Sequence, residues 1–179
     1  MMEASVRPAT QRPRLTVALV LGCVAAALLL RATLLDGEND DTVLFTRWLD
    51  FLQENGAAEL LRHEFRTSYT PVYLYQLIVG NAVFPSDAGL LIVKVFPIVF
   101  DVVCAFLVYK LVRLRRPQGW LPLAAFGVVL FAPTVVINSS YWGQIESVWT
   151  AGLLACVYFF VTRRSSPVGS VEPLPEAAR

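Results

Sequence analysis

Charge is what this sequence has least of. Only 16% of its 179 residues are Asp, Glu, Lys or Arg, 56% are hydrophobic, and the mean hydropathy is +0.57. Water-soluble domains of this length do not reach that balance. Neither sign is in excess: 15 basic against 14 acidic residues leave a net charge of +1 and a pI near 7.7. No basic field is therefore available to hold a nucleic acid, and no acidic excess to keep a tail disordered. The one histidine, His63, sits in the charged stretch Leu61-Arg62-His63-Glu64 with no partner in the sequence and is given no role. The cysteines, Cys23, Cys104 and Cys156, are odd in number, lie inside apolar runs and lack metal-type spacing. They exclude a disulfide framework and a zinc site, and no cofactor or metal is expected. No internal repeat is visible.

What is present is apolar chain in lengths set by a bilayer. About twenty residues at 1.5 Å each cross ~30 Å of hydrocarbon, and four segments qualify: 15–35, 90–112, 120–137 and 147–162. The first follows Arg7, Arg12 and Arg14 like a signal sequence, but it is too long and lacks a small-residue cleavage site, so it reads as an uncleaved anchor. A fifth stretch, 71–84, covers only about 21 Å as a helix and is too short to span comfortably.

Basic residues give the direction. With four spans and a cytoplasmic N-terminus, Arg7, Arg12 and Arg14, then Lys110, Arg113, Arg115 and Arg116, then Arg163 and Arg164 all fall on the cytoplasmic side. A fifth crossing at 71–84 would throw one or two of these clusters outward. The expected architecture is an all-α polytopic protein of a prokaryotic plasma membrane: a cytoplasmic N-terminus at 1–14, a transmembrane domain at 15–162, and a flexible, polar, Pro-containing cytoplasmic tail at 163–179.

This leaves a non-cytoplasmic loop over 36–89, far longer than a connection needs and therefore expected to carry function. Two surface helices are predicted in it. Over 42–61, Leu44, Phe45, Trp48, Leu49, Phe51 and Leu52 alternate with polar residues at helical spacing, a face suited to lying along a membrane, with Asn55 and Gly56 as an interruption. Over 71–84, Thr70 can cap and Pro71 can open a helix that carries Tyr73 and Gln76 on one face, continuing Tyr69.

Four polar features stand out. The acids Asp36, Glu38, Asp40 and Asp41 follow the first span; Asp40 or Asp41 either caps the next helix or serves as a general base toward a hydroxyl. Lys94 and Asp101 lie seven residues apart in the second span, on one helical face, and face a polar cavity or other helices; Lys94 can also snorkel to the interface. Asp101 is too short to snorkel and needs a partner, and Pro97 between them predicts a kink. The turn Asn138-Ser-Ser-Tyr-Trp-Gly-Gln-Ile-Glu146 is either an interfacial belt with a chance glycosylation acceptor or a set of amides, hydroxyls and rings that holds a sugar or phosphate head group. Tyr69, Tyr73 and Tyr75 alone read as an aromatic belt.

Taken in order, these stretches resemble the integral-membrane glycosyltransferases of the GT-C superfamily, closest to prokaryotic mannosyltransferase-like proteins related to the GPI-anchor mannosyltransferases. The resemblance rests on Asp41, Phe45 and Trp48; on Tyr69-Thr-Pro71-Val-Tyr73-Leu-Tyr75; on Lys94, Pro97 and Asp101; and on Asn138 to Glu146. It covers about residues 30–162, and Glu146 stands where the family more often has aspartate. The resemblance implies transfer of a mannose-like hexose or a pentose from a polyprenyl-phosphate donor to a lipid or glycan acceptor on the non-cytoplasmic face, with inversion. On that basis Asp41 would be the base and Asp40 its nearest substitute, while Lys94, Tyr69, Tyr73, Asp101, Asn138, Trp142, Gln144 and Glu146 would bind substrate. Lys94 would stabilise the leaving phosphate, as a cation near developing charge lowers a barrier.

Family members carry further spans after the fourth, so the expectation is an N-terminal part of such an enzyme. The alternatives are a non-catalytic subunit or remnant needing a second polypeptide, and a small transporter lined by Lys94 and Asp101. The four-span topology makes a testable statement: a cysteine introduced by Glu59→Cys reacts with a membrane-impermeant maleimide added to the non-cytoplasmic side of intact cells, and reaction only after permeabilisation reverses the orientation.

Overall fold

The computed structural model describes residues 13–63 and 71–165, and the described chain is helical throughout. Helix α1 is Pro13–Ala32, α2 Asp40–Asn55, α3 Ala57–Arg62, α4 Pro71–Val83, α5 Gly89–Arg115, α6 Leu121–Phe131, α7 Pro133–Ser140 and α8 Glu146–Ser165. Two of these, α1 and α5, are long and apolar enough to cross a membrane, and the bent pair α6–α7 makes a third candidate if it counts as one span. Helix α8 has the length of a span, with 20 residues, but Glu146 at its start and the arginines at its end leave it outside that set.

Helix α5 is the axis of the packing. It runs antiparallel to α1, joined by contacts from Lys94 and Asp101 to the end of α1, and parallel to α8, joined at Ser147 to Pro97 and at Lys110 over the Tyr158 ring. Small helices α2, α3 and α4 fold over the Gly89 end of α5. Phe45, Trp48, Leu49, Tyr73, Leu77, Ile92 and Val93 form one buried core there, and the Phe45 and Tyr73 rings stack 4.2 Å apart. A second core, Ala27, Ala105, Tyr109, Phe126 and Leu130, joins α1, α5 and α6.

The predicted surface helix over 42–61 is interrupted at Gly56, φ +83°, as expected, which divides it into α2 and α3. One expectation is corrected: its apolar face is spent on protein rather than on lipid, because α4 and α5 cover Phe45, Trp48 and Leu52. Its cap is also different. Asn39, not Asp40 or Asp41, accepts from the backbone N–H groups of Asp41 and Thr42, while the Thr42 hydroxyl accepts from the Asn39 N–H in return. The third predicted span, 120–137, is not one straight helix. Pro133 lacks an N–H to continue the ladder, and the chain bends by 45° between α6 and α7.

Two prolines expose carbonyls that other elements then use. Pro97 cannot donate to the carbonyl of Val93, and the Gln76 amide of α4 donates there instead at 2.9 Å. The break at Pro133 leaves the Leu130 carbonyl open, and Arg31 donates to it at 3.0 Å. Arg31 is the polar hub of the bundle: Nε and Nη2 reach Asp101 Oδ2 at 3.3 and 2.8 Å, and Nη1 also reaches the Ala27 carbonyl. Both partners of this pair are 2% exposed at the side chain. Removing one partner of a buried pair strands the other charge, at a cost of about 3–5 kcal/mol. Arg31→Met or Asp101→Leu alone should therefore lower the unfolding temperature in detergent by many degrees, and the double variant should recover most of it. A double variant as unstable as the sum of the two singles would show that the charges act independently.

Candidate functional site

The polar residues gather at the end of the bundle that carries α2. The chain leaving α1 there exposes the carbonyls of Leu34, Leu35 and Gly37, and Lys94 Nζ donates to all three, at 3.2, 2.7 and 2.6 Å. A helix C-terminus leaves carbonyls unsatisfied and carries negative dipole, so an ammonium is the fitting cap. Lys94 is completely buried and does not snorkel. Its three protons are used, so a phosphate at this ammonium would have to displace a backbone carbonyl.

Three residues beyond Lys94's last partner, Asp40 and Asp41 occupy the first turn of α2, at the positive end of its dipole. Asp40 is exposed and Asp41 half-buried. The segment 138–146, distant in sequence, lies directly against this turn. The Gln144 amide donates to Asp41 Oδ2 at 2.6 Å, Asn39 Nδ2 donates to the Tyr141 carbonyl at 2.7 Å, and the Tyr141 hydroxyl donates to the Glu38 carbonyl at 3.3 Å. The turn itself is closed by Gln144 N–H to the Asn138 carbonyl and by Asn138 Nδ2 to Glu146 Oε2 at 2.8 Å.

Glycines make this close approach possible. Gly143, at φ +67°, sits where a Cβ would lie 2.8 Å from Val93 and 3.6 Å from both Lys94 and Thr42, and its carbonyl accepts from the Tyr73 hydroxyl at 3.4 Å. At Gly37 a Cβ would meet the Tyr141 ring at 2.6 Å. The turn is therefore packed into the junction of α1, α2 and α5.

Of the residues singled out from sequence, Asp41, Gln144, Tyr73, Asn138 and Glu146 come together at or beside this turn. Trp142 projects from it and is exposed. Tyr73 is a buried core residue, unlike a belt tyrosine, whereas Tyr75 is exposed. Lys94 and Asp101 share a face of α5 as expected but have separate partners, the α1 carbonyls and Arg31, with the hydroxyls of Ser139 and Ser147 beside Asp101. Tyr69 lies outside the described residues, as do Arg7 and Arg12 and the tail beyond residue 165. Sequence reasoning missed Arg31 and Asn39. A lone arginine in an apolar span that faces a lone aspartate in the next, and an asparagine three residues before a threonine at a helix start, were the available signals.

Arg14, Lys110, Arg113, Arg115 and Arg163 lie at the end away from α2; at the α2 end the acids Asp36, Glu38, Asp40, Asp41 and Glu146 stand with Arg47 and Arg62. Among the described residues no group of three or more His, Cys, Asp or Glu side chains is arranged to hold a metal ion.

No family model, curated protein or solved structure matches this chain.

The glycine turn offers a direct test of the packing. Gly143→Ala meets both a left-handed φ and the Val93 methyl, and should cost about 1–3 kcal/mol in detergent-solubilised protein. Adding Val93→Ala should relieve the steric share only, leaving part of the loss; a fully stable Gly143→Ala would mean that the turn is not held against α5.

Proposed function

We propose that this chain acts in a membrane glycosyltransferase reaction that moves a mannose-like hexose from a polyprenyl-phosphate donor to a hydroxyl acceptor. The observation that supports this reading is the 2.6 Å contact between Gln144 and Asp41, residues 103 positions apart that belong to two of the stretches carrying the GT-C resemblance. In this reading the α2 end is non-cytoplasmic, α8 is the fourth crossing, and the basic residues at the opposite end of α5 and α8 face the cytoplasm.

Asp41 takes the proton of the acceptor hydroxyl; the oxygen attacks the anomeric carbon, and the polyprenyl phosphate departs with the glycosidic electron pair, inverting the centre. A carboxylate serving as base in this way needs orientation above all. Gln144 supplies orientation by holding Oδ2, and Asn39 supplies it by fixing the helix start. Lys94 acts as the scaffold under Asp41 rather than as a phosphate ligand, because its protons are given to the 34–37 backbone. Trp142, Asn138 and Glu146 lie along the rim where a sugar would rest.

A second reading, a non-catalytic subunit of such an enzyme, is favoured by the uncovered apolar face of α8, where Leu153, Phe159 and Phe160 are each at least 60% exposed and could receive further helices. The transporter reading is less favoured, since Asp101 is already matched by Arg31.

The test is sugar transfer from polyprenyl-phosphate mannose in membranes containing the chain. Asp41→Asn should reduce transfer on the order of a hundredfold or more with insertion unchanged. Transfer that survives Asp41→Asn removes the base role; transfer seen only after co-expression with a second membrane polypeptide favours the subunit reading.

A further inference from the structure

On the side of the 138–146 turn away from Asp41, and sharing Asn138, Trp142 and Glu146 with the rim described above, a groove of about 740 Å³ opens between α5, α7 and α8. Its two ends differ in chemistry. At the α2 end its wall carries Asn138, Trp142, Glu146, Ser147 and Thr150; farther along α5 and α8 it carries Cys104, Val108, Val129 and Leu154. Glu146 and Leu154 are eight residues apart on one helix, about 12 Å. A polar mouth over an apolar trough of that depth matches an amphiphile whose head sits at the interface and whose chain runs along the helices.

The polar groups at the mouth indicate which head. Both charged side chains lining the groove, Asp101 and Glu146, are carboxylates, and Asp101 is neutralised by Arg31, whose donors are engaged by Asp101, Ala27 and Leu130. Among the described residues, no lysine, arginine or histidine lines it. Two of the hydroxyls donate to backbone carbonyls, Ser147 to Pro97 at 2.9 Å and Thr150 to Glu146 at 2.8 Å, and their oxygens can still accept; Thr134 adds a third hydroxyl to the wall. Glu146 uses Oε2 for Asn138 and keeps its second oxygen. The first turn of α8, whose dipole would otherwise attract an anion, holds the Glu146 carboxylate itself. The mouth therefore carries acceptors and a net negative charge, with the second Asn138 amide N–H and the Trp142 indole N–H as donors beside an exposed ring face.

We propose that this groove binds a lipid with an uncharged, hydroxyl-rich head group, a glycosyl-diacylglycerol or similar glycolipid, and disfavours lipids whose head is a phosphate. Sugar hydroxyls donate to Glu146, Ser147 and Thr150, the sugar ring lies against Trp142, and the first part of the acyl chain occupies the trough toward Leu154. An anionic phosphate meets the Glu146 carboxylate with no cation beside it among the described residues, whereas a sugar both donates and accepts. This goes beyond the proposed glycosyl transfer, which needs a phosphate-linked donor at Asp41, and it holds whether or not Asp41 is a base.

The experiment uses the full chain in nanodiscs and two photoreactive probes with the same acyl chains, monoglucosyl-diacylglycerol and phosphatidylglycerol, with labelled peptides located by mass spectrometry. The glucosyl probe should label the groove peptides of α5 and α8 more strongly than the phosphatidylglycerol probe, by on the order of tenfold, as expected when charged and polar groups are left unpaired with the wrong head. Leu154→Trp, which fills the trough, should abolish this preference. Leu153→Trp, on the exposed face of the same helix, should leave it intact and so controls for misfolding. Glu146→Lys, at an exposed position, should reverse the preference toward phosphatidylglycerol. Equal labelling by both probes, or a preference that survives Leu154→Trp, overturns the proposal and reduces the groove to ordinary lipid contact. Because the readout is labelling and not transfer, an inactive chain that shows the preference separates this inference from the glycosyltransferase reading.

Discussion

Lys94 and Asp101 on α5, each tied to the end of α1, are the constraint from which the rest of the architecture follows. In an apolar surrounding, a charge without partners is expensive, so the pairing of α1 with α5 has few acceptable registers. Two anchor points about 10 Å apart along α5 fix both the height and the rotation of α1. The partners differ in kind: Asp101 meets a guanidinium, and Lys94 meets three backbone carbonyls. Between them Pro97 removes one rung of the helix ladder; the Val93 carbonyl so released receives Gln76 from α4, and the Pro97 carbonyl receives Ser147 from α8. One stretch of α5 thereby organises three neighbouring helices through its backbone as much as through its side chains.

The site inherits its order from that stretch. Lys94 holds the backbone at 34–37, Asn39 caps the helix that begins next, and Asp41 follows in its first turn. On the far side the 138–146 turn is pressed in by Gly143 against Val93 and held by Tyr73 and Asn39. Asp41 is thus positioned from below by a buried cation acting through the backbone and from the side by an amide. The same turn divides two environments: toward α2 it presents Gln144 to Asp41, and toward α8 it presents Asn138 to Glu146 at the mouth of the groove.

Much of this was legible in the chain. The break at Gly56, the helix opened by Pro71, the common face of Lys94 and Asp101 and the polar character of the 138–146 turn all follow from periodicity and local chemistry and have counterparts in the helices observed, while of the four apolar lengths read as spans two, or three with the bent pair, are long and apolar enough to cross. Other readings shifted when neighbours were present. Phe45 and Trp48 make an apolar stripe whatever covers it; α4 and α5 cover it here, and lipid would have produced the same pattern. Lys94 had the length to reach water and instead turns inward, because the carbonyls of residues 34–37 lie within its reach. A straight third span gave way to a bend because Pro133 interrupts the ladder in the middle of an apolar run that looks uniform by composition.

The sequence by itself determined the apolar length of its helices, their positions and their interruptions, since hydrophobic length, proline and glycine act locally and do not depend on what lies across the bundle. Tertiary structure alone decided the partners: Arg31 for Asp101, backbone carbonyls for Lys94, Gln144 for Asp41. A buried polar group must find a complement somewhere, and its chemistry says what kind, but residues 59 to 103 positions apart become neighbours only through the packing of the whole chain.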